Sequence, residues 1–158
     1  MIGELFRLKS GLKIENVAYK GAAPMMQELA GGHIPVGFTS PLTVMSHHRS
    51  GTLKMLAVTT EKRLEVLPEV PTMAEAGVLG VDRSAWFAMF GPGKMPAEMA
   101  QRIRDDVVAV LAESEMQAKI RDLASEPGGE PPDAFAKRIS EELVIWRDTA
   151  KAAGIEPE

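Results

Sequence analysis

The feature that most limits what this chain can become is a regular alternation in its first part. Short runs rich in β-branched and aromatic residues alternate with short helical stretches, and glycine, serine or proline marks the junctions. The spacing predicts a helix over Gly3–Ser10 stopped by Gly11, then a strand over Ile14–Tyr19. A helix over Met25–Ala30 follows, closed by Gly31 and Gly32, and then a strand over Ile34–Phe38. The next helix, Pro41–Arg49, is stopped by Ser50 and Gly51 and leads to a strand over Leu53–Thr59. Helices and strands alternating at this interval read as parallel βαβ units, so the predicted fold class is α/β.

Beyond Thr59 the pattern changes. Leu67-Pro68-Glu69-Val70-Pro71-Thr72 reads as a rigid loop, with Thr72 as N-cap of a short helix over Met73–Ala76. Ser84–Phe90, with Trp86, Phe87 and Phe90, reads as a fourth strand broken by Gly91-Pro92-Gly93. The remainder is helical. Met99, Ile103, Val107 and Leu111 form one apolar stripe, a shorter helix spans Glu115–Ala124, and Phe135, Ile139, Leu143, Trp146 and Ala150 form another stripe before Gly154.

Composition removes several functions. The 158 residues carry a formal net charge of −4 with no basic stripe, which argues against nucleic-acid partners, since phosphate neutralisation needs clustered Lys and Arg. The absence of cysteine removes disulfides, thiolate nucleophiles and Cys-ligated metals. No apolar run approaches the roughly 20 residues of a membrane helix, and the first residues lack the charged and apolar regions of a signal peptide. Neither G-x-S-x-G nor a P-loop occurs, so the sequence offers no catalytic residues and calls for no cofactor. His47 and His48 are adjacent and point about 100° apart on a helix, a poor arrangement for one metal ion. No metal site is predicted.

The strongest chemical candidate is Tyr19-Lys20-Gly21-Ala22-Ala23-Pro24, where a strand end turns into a helix start. Small residues let a ligand approach the backbone, and the first helical amides are unpaired and partially positive, which suits a carboxylate. Lys20 would add a full positive charge. The same residues also suit an ordinary strand-to-helix turn. Thr39-Ser40-Pro41 occupies the equivalent place after the second strand and offers two hydroxyls, although Ser40 can equally cap the following helix.

These residues also carry a resemblance. Val17-Ala18-Tyr19-Lys20-Gly21-Ala22-Ala23-Pro24, with Glu28-Leu29 and Gly31-Gly32 behind it, resembles V-P-Y-K-G-x-x-P followed by D-L-x-G-G. Gly51 to Thr60 resembles G-K-L-R-A-L-A-V-T, and Lys62-Arg63, Leu67 to Thr72, Ala74 to Gly77, Trp86-Phe87 and Gly91-Pro92 follow in order. The chain is thereby identified as similar to the Bug family, the substrate-binding proteins of tripartite tricarboxylate transporters. The resemblance implies a periplasmic, two-lobed, class II binding protein, not an enzyme, that closes on a small carboxylate or amino acid and delivers it to membrane transporter subunits. It implies ligand contacts from Tyr19, Lys20, Gly21, Ala22 and Ala23, supported by Thr39 and Ser40. Ala18 stands where the family usually has Pro, and Pro35 and Thr39 where an Asp is common.

Family members are about twice this long. The resemblance therefore predicts that residues 1–83 form most of the ligand-binding lobe, with its start missing. Residues 84–158 would then be a crossover strand and helices returning to the other lobe. Strands and helices without their neighbours should drive association, so a homodimer is expected. A stand-alone α/β enzyme or regulatory domain, or an inactive fragment, are the alternative readings.

Overall fold

The computed structural model describes residues 1–155. Six helices form in order: α1 Ile2–Ser10, α2 Ala22–Ala30, α3 Pro41–Arg49, α4 Ala97–Leu111, α5 Ser114–Asp122 and α6 Pro132–Ala153. Their ends follow local chemistry. Gly11 and Gly154 close α1 and α6 in the left-handed conformation, at φ 69° and 70°. Proline occupies the first turn of α3 and α6, where its missing N–H costs nothing.

The α/β expectation is overturned. Among the described residues no strand forms, and the one β-contact is an isolated parallel bridge between Val58 and Thr72. Ile14–Tyr19, Ile34–Phe38 and Ser84–Phe90 make no ladder, and Leu53–Thr59 contributes only Val58. The class II βαβ lobe inferred from the family resemblance falls with it. The physical reason is that β-branched composition expresses only a local preference, whereas a ladder needs a second backbone about 4.8 Å away. Among the described residues these four segments form no such ladder with one another. The backbone groups of Ile34–Thr39 and Ser84–Gly91 make no bond to other backbone among the described residues.

What holds the chain together is a small core between α3 and the following loops. Met45, Val58, Leu64, Leu67 and Val70 are buried against one another, with Met55, Val66 and Ala124 packed around them. The Val58–Thr72 bridge clamps this core through two bonds, Val58 N–H to the Pro71 carbonyl and Met73 N–H to the Val58 carbonyl, each 2.9 Å. Residues 73–76 form a turn where a short helix was predicted. The capping chemistry of Thr72 is nevertheless present and reciprocal: Glu75 N–H donates to Thr72 Oγ1 at 3.1 Å, and Thr72 N–H donates to Glu75 Oε2 at 2.8 Å. Arg63 Nε donates to the same carboxylate oxygen at 2.8 Å.

Around the core, α1 packs on α6, while its Phe6 ring meets Phe38 at 5.3 Å and its Lys9 stem lies over Gly80. Trp86 lies edge-on to Phe135 of α6 at 5.0 Å and donates its indole N–H to Glu142 at 2.9 Å. Neither α4 nor α5 has a fully buried residue. In the α4 stripe Met99 and Ile103 are exposed, and in α6 Leu143 is exposed.

Candidate functional site

Helix α2 begins behind Gly21, whose backbone lies at φ 104°, ψ 176°, a region that only glycine occupies comfortably. Its N–H turns back to the Tyr19 carbonyl at 2.9 Å. Nothing lies within 4 Å of where a Cβ at Gly21 would sit, so the backbone faces open space. Behind it, the amides of Ala22 and Ala23 have no protein acceptor among the described residues, and both residues are exposed. The third helical position is Pro24, which has no N–H to offer. Two free amides thus stand at the head of a nine-residue helix. Lys20 is exposed and joins no ion pair among the described residues, while Tyr19 is half-buried.

The start of α3 is similar in kind. Ser40 has extended backbone at φ −63°, ψ 139°, and its hydroxyl makes no capping bond; its carbonyl accepts the Thr43 N–H at 3.0 Å. The capping role open to Ser40 in the sequence is not taken up, and its hydroxyl is exposed. Thr39 is half-buried. Met25 links the two helix starts, because its Sδ lies 3.2 Å from the position of a Cβ at Gly37. Gly37 therefore lets the segment leading to Thr39 run close against α2. A shallow depression along α4 beside Gln101 and Asp105 and another between Thr60 and Asp82 do not reach either helix start. Ala22, Ala23 and Ser40 at these two starts are each exposed.

Two neighbouring groups are engaged in structural roles. His48 Nδ1 accepts the Met55 N–H at 3.3 Å, which leaves its proton on Nε2 to be donated to Glu69 at 3.2 Å. Backbone hydrogen bonding and this histidine hold the Glu69 carboxyl below its ordinary range. The Arg63 guanidinium and the Thr72 amide do the same for Glu75. Sequence reasoning missed the part played by Pro24. A proline at the third position of the helix was the available signal, because it deletes one amide and leaves a pair.

Residues 1–155 match the family described as "Tripartite tricarboxylate transporter family receptor". Protein BugT of Bordetella pertussis is 28% identical over 154 residues, covering 98% of this chain and 47% of its own length. Among solved structures, an R. palustris protein with adipate is 35% identical with a TM-score of 0.85, covering 99% of this chain and 52% of that one. A structure described as a periplasmic transporter is 29% identical with a TM-score of 0.84, over 98% and 52% of the two chains. The chain spans about half the length of the relatives it matches.

Proposed function

Since this chain belongs to the tripartite tricarboxylate transporter receptor family, we propose that it works as the ligand-capturing part of a periplasmic solute receptor and takes a small dicarboxylate. It is a binding protein, not a catalyst. The observation that carries the reading is the pair of exposed, unpaired amides of Ala22 and Ala23 behind Gly21. A carboxylate presents two oxygens in one plane, and two amides at the positive end of a helix dipole match that demand. Pro24 makes the pair an isolated one. A tetrahedral anion with a third oxygen gains no further helical donor from the next position.

Lys20 supplies charge beside these amides, and Thr39 and Ser40 supply hydroxyl donors for the far end of the ligand. Tyr19 borders the turn that holds Gly21. The adipate seen with the R. palustris relative supports a dicarboxylate as the ligand class. In the whole receptor, closure around the ligand would expel water from these exposed groups and strengthen each of these bonds. Residues 1–83 would carry the ligand surface, and residues 84–158 would return toward a second lobe. Delivery to membrane transporter subunits follows from the same family role.

Amide-resolved NMR tests the site. Adipate titrated into isotope-labelled protein should move the Ala22 and Ala23 amides first, with an affinity of about millimolar because water reaches these exposed groups. Gly21→Val should remove these shifts, and Lys20→Ala should only weaken them, because an exposed cation acts through a high dielectric. Shifts centred elsewhere, or a greater loss with Lys20→Ala than with Gly21→Val, would refute the amide-based account.

A further inference from the structure

A glycine can be required because its backbone adopts a conformation closed to other residues, or because something lies too close for a side chain. Gly37 is of the second kind. Its φ lies outside the left-handed range, so its backbone conformation is open to other residues. A Cβ there would lie 3.2 Å from Met25 Sδ, 3.4 Å from Met25 Cε and 3.5 Å from Leu29 Cδ2. Met25 and Leu29 stand four residues apart on α2 and so share one face of that helix. Phe38 ties the same segment to α1, because its ring meets Phe6 at 5.3 Å and lies 3.3 Å from the position of a Cβ at Gly3. Among the described residues no backbone bond joins Ile34–Thr39 to other backbone, and these side-chain contacts are what place it.

We propose that the contact between Gly37 and Met25 is a spacer that sets which length of dicarboxylate the site takes. The proposal rests on the reading that the Ala22 and Ala23 amides hold one end of the ligand and the Thr39 and Ser40 hydroxyls the other. Met25 stands two residues after Ala23 in the first turn of α2, and Gly37 two residues before Thr39. How closely these two residues meet therefore fixes the gap between amides and hydroxyls. An extended diacid lengthens by about 1.3 Å per methylene, from a C–C bond of about 1.5 Å and an angle of about 111°. A side chain at Gly37 acts on the same scale: its Cβ is already crowded, and γ-carbons reach about 1.5 Å further. Met25 suits the part, since an unbranched, polarizable thioether packs closely on bare backbone. Gly37 and Met25 are positioning residues, and their contact is internal to the chain.

Glutarate, adipate and pimelate differ by one methylene each, and each reports its dissociation constant through the Ala22 and Ala23 amides of labelled protein. Gly37→Val should widen the gap and move the ratio of pimelate to adipate affinity at least ~3-fold toward pimelate, part of the roughly 10–200-fold that one methylene is worth in a closed pocket. Met25→Ala removes the spacer from the other side and should move preference toward glutarate by a similar factor. It also carries the test alone if Gly37→Val does not fold. Combining the two should bring the ratios back toward those of the unmodified protein, because the alanine makes room for the valine. General loosening lowers all three affinities together and leaves their ratios in place, so the ratios separate a spacer from a residue that only supports the fold. Ratios unchanged in the folded single variants, or moved in the same direction by both, would overturn the proposal. Loss of the carboxylate reading itself looks different: no diacid then shifts the Ala22 and Ala23 amides of the unmodified protein, and the spacer falls with it.

Discussion

Replacing Gly21 with alanine separates backbone geometry from side-chain bulk. An added Cβ meets no atom within 4 Å, so no clash contributes. What the methyl group opposes is the conformation itself, φ 104° with ψ 176°, which for a non-glycine residue costs about 1–3 kcal/mol. Gly128 is the matching control. A Cβ there also meets nothing, and its φ lies outside the glycine-favouring range, so Gly128→Ala should be neutral or stabilise by about 0.4–1 kcal/mol. With an m-value of about 2 kcal/mol per molar urea, the Gly21 variant should unfold roughly 1 M earlier than the Gly128 variant at equal protein concentration. If the backbone instead relaxes to negative φ, the Gly21 N–H leaves the Tyr19 carbonyl and the amides of Ala22 and Ala23 turn away from their present direction. Adipate shifts at those two amides are then lost although stability is retained. Equal urea midpoints for the two variants, with adipate shifts intact in both, would refute the idea that this glycine's conformation builds the site.

Two further outcomes test the core and its electrostatics. Leu67, only 2% exposed, should lose about 2–5 kcal/mol as Leu67→Ala, whereas Leu56, 62% exposed, should change stability by no more than ~0.5 kcal/mol as Leu56→Ala, both read by urea unfolding. The Glu75 carboxyl is held below its ordinary 4.5 by Arg63 and by the Thr72 amide, so its stabilisation is complete above that value and is lost as pH falls through the lowered one; Glu75→Gln should flatten that acid limb of the stability profile, and an unchanged limb would show that the pairing contributes nothing.

The helices were legible because their signals are local. Pro41 at the first position and Ser50-Gly51 beyond the end fixed α3 as predicted. Helix α2 starts at Ala22, earlier than the predicted Met25, because a proline within the first turn is tolerated there. Strands are a different matter. Ile34–Phe38 has the composition of one, yet its pairing depends on a neighbour that local composition does not encode. The turn at Met73–Ala76 shows the same limit at smaller scale: Thr72 and Glu75 make the reciprocal cap, but Gly77, at φ 90°, ends the segment before a helix establishes itself. At the candidate site, the residue types of Tyr19 to Ala23 were readable, while the positive φ of Gly21 and the missing partners of Ala22 and Ala23 belong to three-dimensional geometry.

The placement of the core also sets how this gene can drift. Val81 is wholly buried, and beyond it the described residues include one other buried side chain, Thr149. Substitutions at the buried positions between Met45 and Val81, such as Val58, Leu67 and Val70, meet packed neighbours and are purged by their effect on stability. Those along α4 and α5 meet mostly water, so their sequence can diverge freely unless something outside the fold constrains it. A comparison of substitution rates along the two stretches would therefore separate constraint by folding from constraint by association. A stretch that lies in the open here and yet evolves as slowly as the core is one held by contacts outside these residues.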